Sequence, residues 1–362
     1  MRIEPGSLKS FASAVLGRLG APHPIAVQVA DSLICADEAG YNTHGLNLLP
    51  IYAAMINDGA INPAGEAIAE QITPSICRYD GRAAFGQVTG TAATRAGIDM
   101  ALEHGLAVVA VRDGSHLGRL GEYAEMATSS RLIFMAFTNT GGGAKNVAPH
   151  GGHERKLSTN PIAFGIPTFD ALPFDLILDF ATSQISGSVI REYDRTSRPL
   201  HSEWSTTATG EPVESAKSFM DGIGALLPLG GRVTGHKGFG LALVAELLGG
   251  LAGGSMVGGH DPEWFSNAAL FFMLDPDRFL NLSDFEVQVA ALADHLRSDS
   301  VRLPGEGAYT ERQLSRSEGI EIPDHVLAAA NHLGRSLGVE LRDHVSSLPA
   351  NLEDSDGQQK TW

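Results

Sequence analysis

The sequence lacks the features that mark secreted and membrane-spanning proteins. It holds only two cysteines, Cys35 and Cys77, which are too few for a disulfide framework and lack the paired spacing of a structural zinc site. No apolar run reaches the roughly 20 residues that a membrane-spanning helix needs, and the first 20 residues lack the apolar core and cleavage site of a signal peptide. We therefore expect a cytoplasmic protein with two packing thiols.

The chain is also poor in positive charge. It has 26 Lys and Arg residues against 42 Asp and Glu residues, a formal net charge of −16. Nucleic acids and anionic membranes are bound through basic surfaces that displace counterions. We therefore expect neither as a partner, and expect a small-molecule substrate that is held by local groups.

Several familiar motifs are missing. Segment 231–240, GRVTGHKGFG, approaches a P-loop, but His236 interrupts the Gly-Lys pair and no Ser or Thr follows Lys237. No GxGxxG opens a helix after a strand, and no GxSxG occurs. His150 and His153 lie in HGGH without an HExxH pattern or cysteine partners, so we predict no metal site. These absences argue against a nucleoside triphosphatase, an ordinary Rossmann site and a serine hydrolase.

The apolar pattern predicts an α/β protein with helices at both ends of the chain. With 362 residues, we expect two domains. The N-terminal part predicts two helices within residues 7–35, separated at Pro22 and Pro24, and a third over Leu46 to Asp58. Strands are predicted at 107–113, 132–139, 162–168 and 176–182, with a helix at 121–131. Residues 236–251 are apolar nearly all round and predict a buried helix, and residues 311–340 predict amphipathic helices.

His44 is the most informative single residue. It lies between Thr43 and Gly45, in a tract that has helix-like apolar spacing on both sides. An imidazole with a reference pKa near ~6.5 exchanges protons around neutral pH, which makes His44 a candidate acid/base. The alternative is a surface or helix-capping histidine.

Two further segments carry polar groups at strand ends. His116 follows a predicted strand and precedes a glycine-rich helix start, where free N–H groups and the helix dipole favour a carboxylate or phosphate; a capping role is the alternative. Segment 137–164 contains three consecutive glycines, which allow a ligand to approach the backbone closely. Its hydrogen-bonding side chains are Thr138, Asn139, Thr140 and Asn160.

In this order, the segments resemble the malate/L-lactate dehydrogenase family, which is distinct from the Rossmann-type lactate dehydrogenases. The family includes ureidoglycolate, sulfolactate and diketogulonate oxidoreductases and piperideine carboxylate reductases. The likeness covers about residues 7–340. It rests on THG, SHLG, VAPHGG, STNPIAFGIP, LDFATS, GHKGFGLALVAELL and LPGE, which are specific together and weak one by one.

The resemblance implies a non-Rossmann NAD(P)-binding mixed sheet, a helical lobe formed by both chain ends, and a homodimer. The cofactor would be NAD or NADP, and no residue distinguishes the two. The implied parts are residues 1–74 as the N-terminal helical part of the small lobe, 75–306 as the NAD(P)-binding body, 307–347 as C-terminal helices packing with that lobe, and 348–362 as a flexible tail.

The resemblance also assigns residues to the site. His44 would exchange a proton with the substrate, Thr43 would orient it, and His116 would act in acid/base chemistry or in substrate and cofactor contact. Thr159 and Asn160 would border substrate or nicotinamide. The implied cofactor contacts are His116, Leu117, Gly118, Arg119, Leu120, Thr140, Asp179, Phe180, Ala181, His236, Lys237, Gly238, Pro304, Gly305 and Glu306.

Two positions depart from the family pattern. Leu48 stands where relatives carry an arginine that binds the substrate carboxylate, and Val189 stands where they carry a lysine or aspartate. Loss of a bidentate guanidinium from a buried site costs about 2 to 5 kcal/mol of carboxylate affinity. We therefore expect an atypical substrate with an apolar face near Leu48 and Val189, and Arg119 as a relocated anion clamp.

The resulting hypothesis is an NAD(P)-dependent oxidoreductase. It would transfer a hydride between nicotinamide and a 2-hydroxy/2-keto acid or cyclic imine, coupled to proton exchange at a histidine. The alternative is a family member that binds the cofactor or a ligand but performs only non-redox proton transfer or binding. The apolar residues at positions 48 and 189 favour that alternative, whereas His44, His116, Asp179 and Lys237 favour the enzyme.

Overall fold

The computed structural model describes residues 2–141, 143, 145–260, 266–279 and 281–345, so the predicted tail over 348–362 lies outside the described residues. The helices are α1 (Pro5–Arg18), α2 (His23–Glu38), α3 (Leu49–Asn57), α4 (Gly86–His104), α5 (Leu120–Ser129), α6 (Gly187–Arg195), α7 (Ala216–Met220), α8 (Gly231–Glu246), α9 (Leu282–Arg297), α10 (Glu306–Glu318) and α11 (Asp324–Ser336). The strands are β1 (Arg2–Ile3), β2 (Ile68–Thr73), β3 (Ile76–Asp80), β4 (Leu106–Gly114), β5 (Ile133–Asn139), β6 (Ile162–Ile166), β7 (Leu176–Phe180), β8 (Ser205–Thr206), β9 (Ala225–Leu226), β10 (Asn267–Leu274) and β11 (Ile320–Glu321).

The chain forms two compact units. The first takes the described residues up to Gly65 and those from Gly305 onward, and the second takes Glu66–Pro304. In the first unit the two chain ends meet, because β1 pairs antiparallel with β11. The predicted helical lobe from both ends is therefore confirmed.

The helices of the first unit bury one apolar stripe each. In α1 this stripe includes Leu8, Phe11 and Val15, a spacing of three and four residues that places them on one helix face. The helix begins where the Glu4 carboxylate accepts hydrogen bonds from the N–H groups of Gly6 and Ser7. The three N-terminal helices predicted from the apolar spacing are all present.

A seven-stranded mixed sheet forms the centre of the second unit. Its strand order is β2-β3-β4-β10-β5-β6-β7, and within it β3 and β4 are parallel while the other neighbouring pairs are antiparallel. This arrangement differs from the parallel sheet of a Rossmann domain. The predicted mixed, non-Rossmann sheet is confirmed.

Helices α4 and α5 contribute to the apolar core of the sheet. The ring of Phe271 on β10 lies 5.5 Å from the ring of Tyr123 on α5 and 5.4 Å from the ring of Phe134 on β5. All three side chains are fully buried. These contacts fix α5, and with it the preceding SHLG segment, against the sheet.

The prediction of a buried helix over residues 236–251 is wrong, because α8, which covers residues 236–246 of this segment, leaves Leu241 and Val244 exposed. Its inward face carries small residues such as Gly235, Gly238 and Ala242, which let the backbone approach its neighbours closely. Its outward face carries large apolar residues, and Val233 is 85% exposed. The sequence shows no polar face on this helix, because small side chains face the rest of the unit and large apolar side chains face outward.

Membrane spans and metal clusters are both absent from the described residues. Across the ranges that the structure describes, no helix is long and apolar enough to span a membrane. In the same ranges, no group of three or more His, Cys, Asp or Glu side chains is placed to hold a metal ion. Cys35 and Cys77 are free thiols.

Candidate active site

The THG turn of the first unit lies between α2 and α3. It consists of two short 3₁₀ turns, Asn42–His44 and Leu46–Leu48. Thr43 Oγ1 lies 3.1 Å from His44 Nδ1, and the His44 side chain is half-buried. The hydroxyl and the imidazole thus form a pair at an element end, as the sequence predicts for their positions.

A buried carboxyl supports this turn from α2. Asp37 is 3% exposed, and its Oδ2 accepts a 2.7 Å hydrogen bond from the N–H of Leu46. Its Oδ1 has no hydrogen-bond partner. A Cβ at position 45 would overlap with this carboxyl, so only glycine fits there. Burial raises the pKa of Asp37 to about 8, and the Leu46 N–H offsets part of that rise.

Leu48 belongs to the packing of the first unit. It is 2% exposed and ends the second 3₁₀ turn directly before α3. An apolar, buried side chain provides no positive charge for an acid group. The structure therefore gives position 48 no role in anion binding.

The SHLG segment of the second unit is fixed by hydrogen bonds at both ends. Ser115 Oγ accepts from the N–H of Gly86 (2.9 Å), and the N–H of Leu117 donates to Asn267 Oδ1 (2.9 Å). Tyr123 Oη donates to the carbonyl of Leu117 (2.6 Å). The half-buried His116 is therefore carried on a rigid segment, which is what a binding or catalytic residue requires.

The helix start after SHLG already holds a carboxylate of the chain. Asp179 Oδ2 accepts from the N–H of Gly121 (2.8 Å) at the start of α5. Burial raises the pKa of Asp179, and the Gly121 N–H and the positive charge of Arg119 offset part of this effect. The structure thus brings Arg119, Leu120 and Asp179 together, as their shared assignment to the cofactor would require.

Arg119 forms an internal ion pair. Its side chain is 3% exposed, and Nη2 lies 2.6 Å from Glu125 Oε2. A substrate acid group at Arg119 would have to compete with this carboxylate. The clamp role of Arg119 stays a prediction, with an internal counter-charge that the sequence analysis did not identify.

Three polar side chains meet at the ends of β5 and β6, and we call Asn139, Asn160 and Glu246 the amide cluster. Glu246 Oε1 accepts from Asn139 Nδ2 (3.2 Å) and from the N–H of Gly258 (2.7 Å), and its Oε2 accepts from Asn160 Nδ2 (2.6 Å). All three side chains are buried. The carboxylate therefore fixes both amides with their nitrogens turned toward α8.

The side-chain oxygens around the amide cluster are left without partners. Four of them are buried and have no hydrogen-bond partner among the described residues: Thr138 Oγ1, Asn139 Oδ1, Thr140 Oγ1 and Asn160 Oδ1. Buried polar atoms are nearly always paired in a folded protein. A cluster of unpaired ones beside the glycine-rich segment is typical of a site that a polar ligand completes.

A π-helical turn brings the backbone close to this cluster. Leu247–Leu251 continues α8, and Gly249 faces the main chain of β5 so closely that a Cβ would lie 3.1 Å from the N–H nitrogen of Asn139. Isolated π turns occur often at functional sites because they shift the register of a helix. Here the turn follows Glu246 directly.

The remaining predicted residues have varied surroundings. Thr159 O accepts from the N–H of Thr182 (2.9 Å), which places Ala181 and Phe180 beside the start of β6. His236 and Lys237 are exposed on α8, and the His236 ring makes an edge contact with His150. Val189 is half-buried in the first turn of α6, Pro304 ends the second unit, and Gly305 and Glu306 begin the C-terminal part of the first.

Sequence reasoning missed three polar side chains of these regions. Asp37 and Glu246 are charged residues within apolar helical stretches, a signal that the sequence does show. Arg191 on α6 donates from Nη2 to Ser188 Oγ (2.9 Å) and forms no ion pair among the described residues, which the sequence does not show. None of the three was assigned a role from the sequence.

The fold and the hydrogen-bonded polar groups define an enzyme that is built on a mixed sheet rather than on a Rossmann domain. A family model described as malate/L-lactate dehydrogenase matches residues 3–331, and the chain belongs to this family. Its relatives are named dehydrogenases, so the protein is an oxidoreductase.

Sequence and structure comparisons agree on the family. The L-lactate dehydrogenase of Cupriavidus necator is 34% identical over 317 residues, 84% of this chain and 89% of that protein. The malate dehydrogenase of Pyrococcus abyssi is 37% identical over 307 residues, 82% of each. The structure of malate dehydrogenase from Entamoeba histolytica superposes with a TM-score of 0.87 at 28% identity, over 94% of this chain and 98% of that one. The delta1-piperideine-2-carboxylate reductase of Pseudomonas syringae pvar. tomato gives a TM-score of 0.82 at 26% identity, over 92% and 99%.

Proposed function

We propose that the protein transfers a hydride between NAD or NADP and a 2-hydroxy/2-keto acid or cyclic imine. The observation that carries this proposal is the Thr43–His44 pair on a turn whose backbone donates a hydrogen bond to the Asp37 carboxyl. Relatives named for lactate, malate, sulfolactate and a piperideine carboxylate support the substrate class. Each of these compounds carries an acid group beside the reacting carbon.

The residues of the second unit fit a nicotinamide cofactor. The unpaired oxygens of Thr138, Asn139, Thr140 and Asn160 are acceptors for a carboxamide or ribose hydroxyl, and Gly249 keeps the backbone close to them. When bound, NAD or NADP supplies a hydride acceptor or donor at C4 of its nicotinamide ring. The residues of SHLG, Asp179–Ala181, His236–Gly238 and Pro304–Glu306 are the further candidates for holding it.

In this proposal His44 moves the proton. The ring keeps a proton on Nδ1, which donates a hydrogen bond to Thr43 Oγ1, so that Nε2 is the atom that exchanges a proton with the substrate. In the reductive direction the protonated ring gives its Nε2 proton to the carbonyl oxygen or imine nitrogen and becomes neutral, as the carbon gains a hydride. In the oxidative direction the neutral ring takes the proton of the substrate hydroxyl. Thr43 acts by fixing the ring and its tautomer.

We also propose a homodimer that acts in the cytoplasm. The outer face of α8 and its π-helical turn exposes Val244, Leu247 and Leu251, and Leu251 is 60% exposed. An apolar surface of this kind is typical of a subunit contact. Sedimentation at increasing concentration tests the dimer, and a monomer at every concentration contradicts it.

The decisive experiment separates cofactor binding from turnover. NADH and NADPH are titrated separately by nicotinamide fluorescence, and pyruvate, oxaloacetate and a cyclic imine carboxylate are then screened by loss of nicotinamide absorbance. We expect saturable binding of at least one cofactor and turnover of at least one acid. Binding without turnover would support the alternative, non-redox function, and no binding of either cofactor would contradict the proposed redox function.

His44→Gln tests the proton transfer. We expect kcat to fall by about 10²- to 10⁴-fold, because general acid/base catalysis contributes that much, while NAD(P)H affinity stays at the wild-type value. His23→Gln, at an exposed histidine on α2, is the matched control and is expected to leave kcat unchanged. An equal loss in both variants, or none in His44→Gln, would contradict the role of His44.

A further inference from the structure

One arginine of the second unit is partly buried without a carboxylate beside it. Arg191 on α6 donates from Nη2 to Ser188 Oγ (2.9 Å), and it makes no ion pair with an acid among residues 2–345 as far as the structure describes them. Arg119 and Arg195, in contrast, are paired with Glu125 (2.6 Å) and Glu192 (3.5 Å).

The surroundings of Arg191 make its charge costly. Burial lowers the pKa of the guanidinium, and the neighbouring positive charge of Arg195 lowers it further. An arginine keeps its proton in proteins, so the cost appears as an unfavourable energy of the charged group. The negative charge of an anion bound next to the guanidinium would offset both effects.

The space next to this guanidinium is lined by a second donor. Arg191 lies over the first turn of α6, where a Cβ at Gly187 would be 3.8 Å from Arg191 Nη1 and 3.7 Å from Asn146 Nδ2. Because residue 187 has no side chain, the region between the amide and the guanidinium stays open. Asn146 belongs to the loop after the glycine-rich segment, and α6 follows Thr182, which is hydrogen-bonded to Thr159.

The other basic candidates for an acid group are less suitable. Position 48 is an apolar, buried leucine, and Arg119 already binds Glu125. Arg191 is partly accessible and lies two residues after Val189, the position that the family resemblance associates with the substrate. A guanidinium together with an amide matches the two oxygens of a carboxylate.

We propose that Arg191, with Asn146, binds the carboxylate of the substrate, a function for which position 48 offers only an apolar leucine. This inference rests on the proposed function, because it assumes an acid substrate. The proposal assigns substrate specificity to α6, for which the sequence indicates only the loss of a polar group at Val189.

The test uses oxalate, a small dianion that resembles a 2-keto acid, titrated by calorimetry into protein saturated with the cofactor that binds. Arg191→Gln is expected to weaken oxalate binding by about 10- to 100-fold, the effect of losing a hydrogen bond to a charged group. Arg191→Lys, which keeps the charge but not the planar fork, is expected to lie between that variant and wild type. Arg198→Gln, at an exposed arginine that stacks on Tyr193, controls for loss of charge.

The affinities for NADH and NADPH, measured by fluorescence, separate the possible results. An unchanged cofactor affinity with weakened oxalate binding supports the proposal, provided that thermal unfolding shows the variants to be folded. If the Arg191 variants lose cofactor affinity but keep oxalate affinity, Arg191 binds a cofactor phosphate and the proposal is overturned. Equal losses in Arg198→Gln, or wild-type protein that binds NAD(P)H but not oxalate, also overturn it. Failure of the wild type to bind either cofactor instead contradicts the proposed function.

Discussion

Two buried carboxyl groups, one in each unit, have opposite surroundings. Glu246 accepts from two side-chain amides and a main-chain N–H, while Asp37 accepts from one main-chain N–H and has an oxygen without a partner. Similar burial thus has different consequences. Hydrogen bonds replace water for Glu246, whereas the pKa of Asp37 rises to about 8 because the single N–H of Leu46 offsets only part of the effect of burial.

The two units hold their buried polar groups in different ways. The amide cluster is held by a network in which a charged acceptor fixes the donors. The THG turn is held by a carboxyl that is stable in its neutral form below about pH 8. The second arrangement is expected to respond to pH as it rises toward 8.

The largest expected effect is the pH dependence caused by Asp37. The folded protein keeps the proton up to about pH 8, whereas the unfolded chain releases it near pH 4, so stability is full below pH 4 and is lost as pH rises toward 8. Four pKa units correspond to roughly 5 kcal/mol. Asp37→Asn is expected to remove this loss. The unfolding free energy of the variant minus that of the wild type should therefore increase between pH 4 and 8.

Denaturant unfolding of both proteins across this pH range provides the measurement. Asp31→Asn, at a half-exposed residue on the same helix, is the matched control and should give a nearly constant difference. A constant difference for Asp37→Asn as well would show that Asp37 is ionised in the folded state.

The next largest effect is expected at Glu246. Glu246→Gln replaces one acceptor oxygen by an N–H donor, so that at least one amide of the cluster loses its partner. We expect a loss of about 2 to 4 kcal/mol in unfolding free energy, measured by denaturant titration at pH 7. Glu103→Gln, at an exposed position on α4, is the control. A loss below about 0.5 kcal/mol would mean that the cluster does not need the charged acceptor.

The smallest effect is expected from Gly45→Ala. The added methyl overlaps with the Asp37 carboxyl and should cost about 1 to 3 kcal/mol, the usual range for overpacking. Combining it with Asp37→Gly should recover part of that cost, which a double-mutant cycle measures. Gly17→Ala, in α1 with open space around it, is expected to be neutral or slightly stabilising. Additive losses in the cycle would contradict direct contact between residues 37 and 45.

Much of the fold could be predicted from local patterns. The strands β4 to β7 and the helices at both ends follow from apolar periodicity, and the family motifs account for the mixed sheet. Strand β10 was missed, although Ala268 to Leu274 is strongly apolar, because nothing local shows that it pairs between β4 and β5. The exposed face of α8 was missed for a related reason, since the sequence does not show which residues meet the sheet.

The site was predictable where chemistry is local and not where it depends on packing. His44 with Thr43 could be identified from adjacent residues. The neutral Asp37 could not be identified from the sequence, because its pKa depends on the groups that the fold places around it. Arg191 could not be identified either, because the sequence does not show that the described residues place no acid beside it.

The position of β10 has a consequence for biosynthesis. Strands β4 and β5 both pair with β10 and not with each other, so the centre of the sheet cannot close until residue 274 has left the ribosome. The first unit needs the segment after residue 304 as well. Nearly the whole polypeptide must therefore emerge before either unit is complete, and the nascent chain exposes apolar strands for most of its translation, when a chaperone is of greatest use.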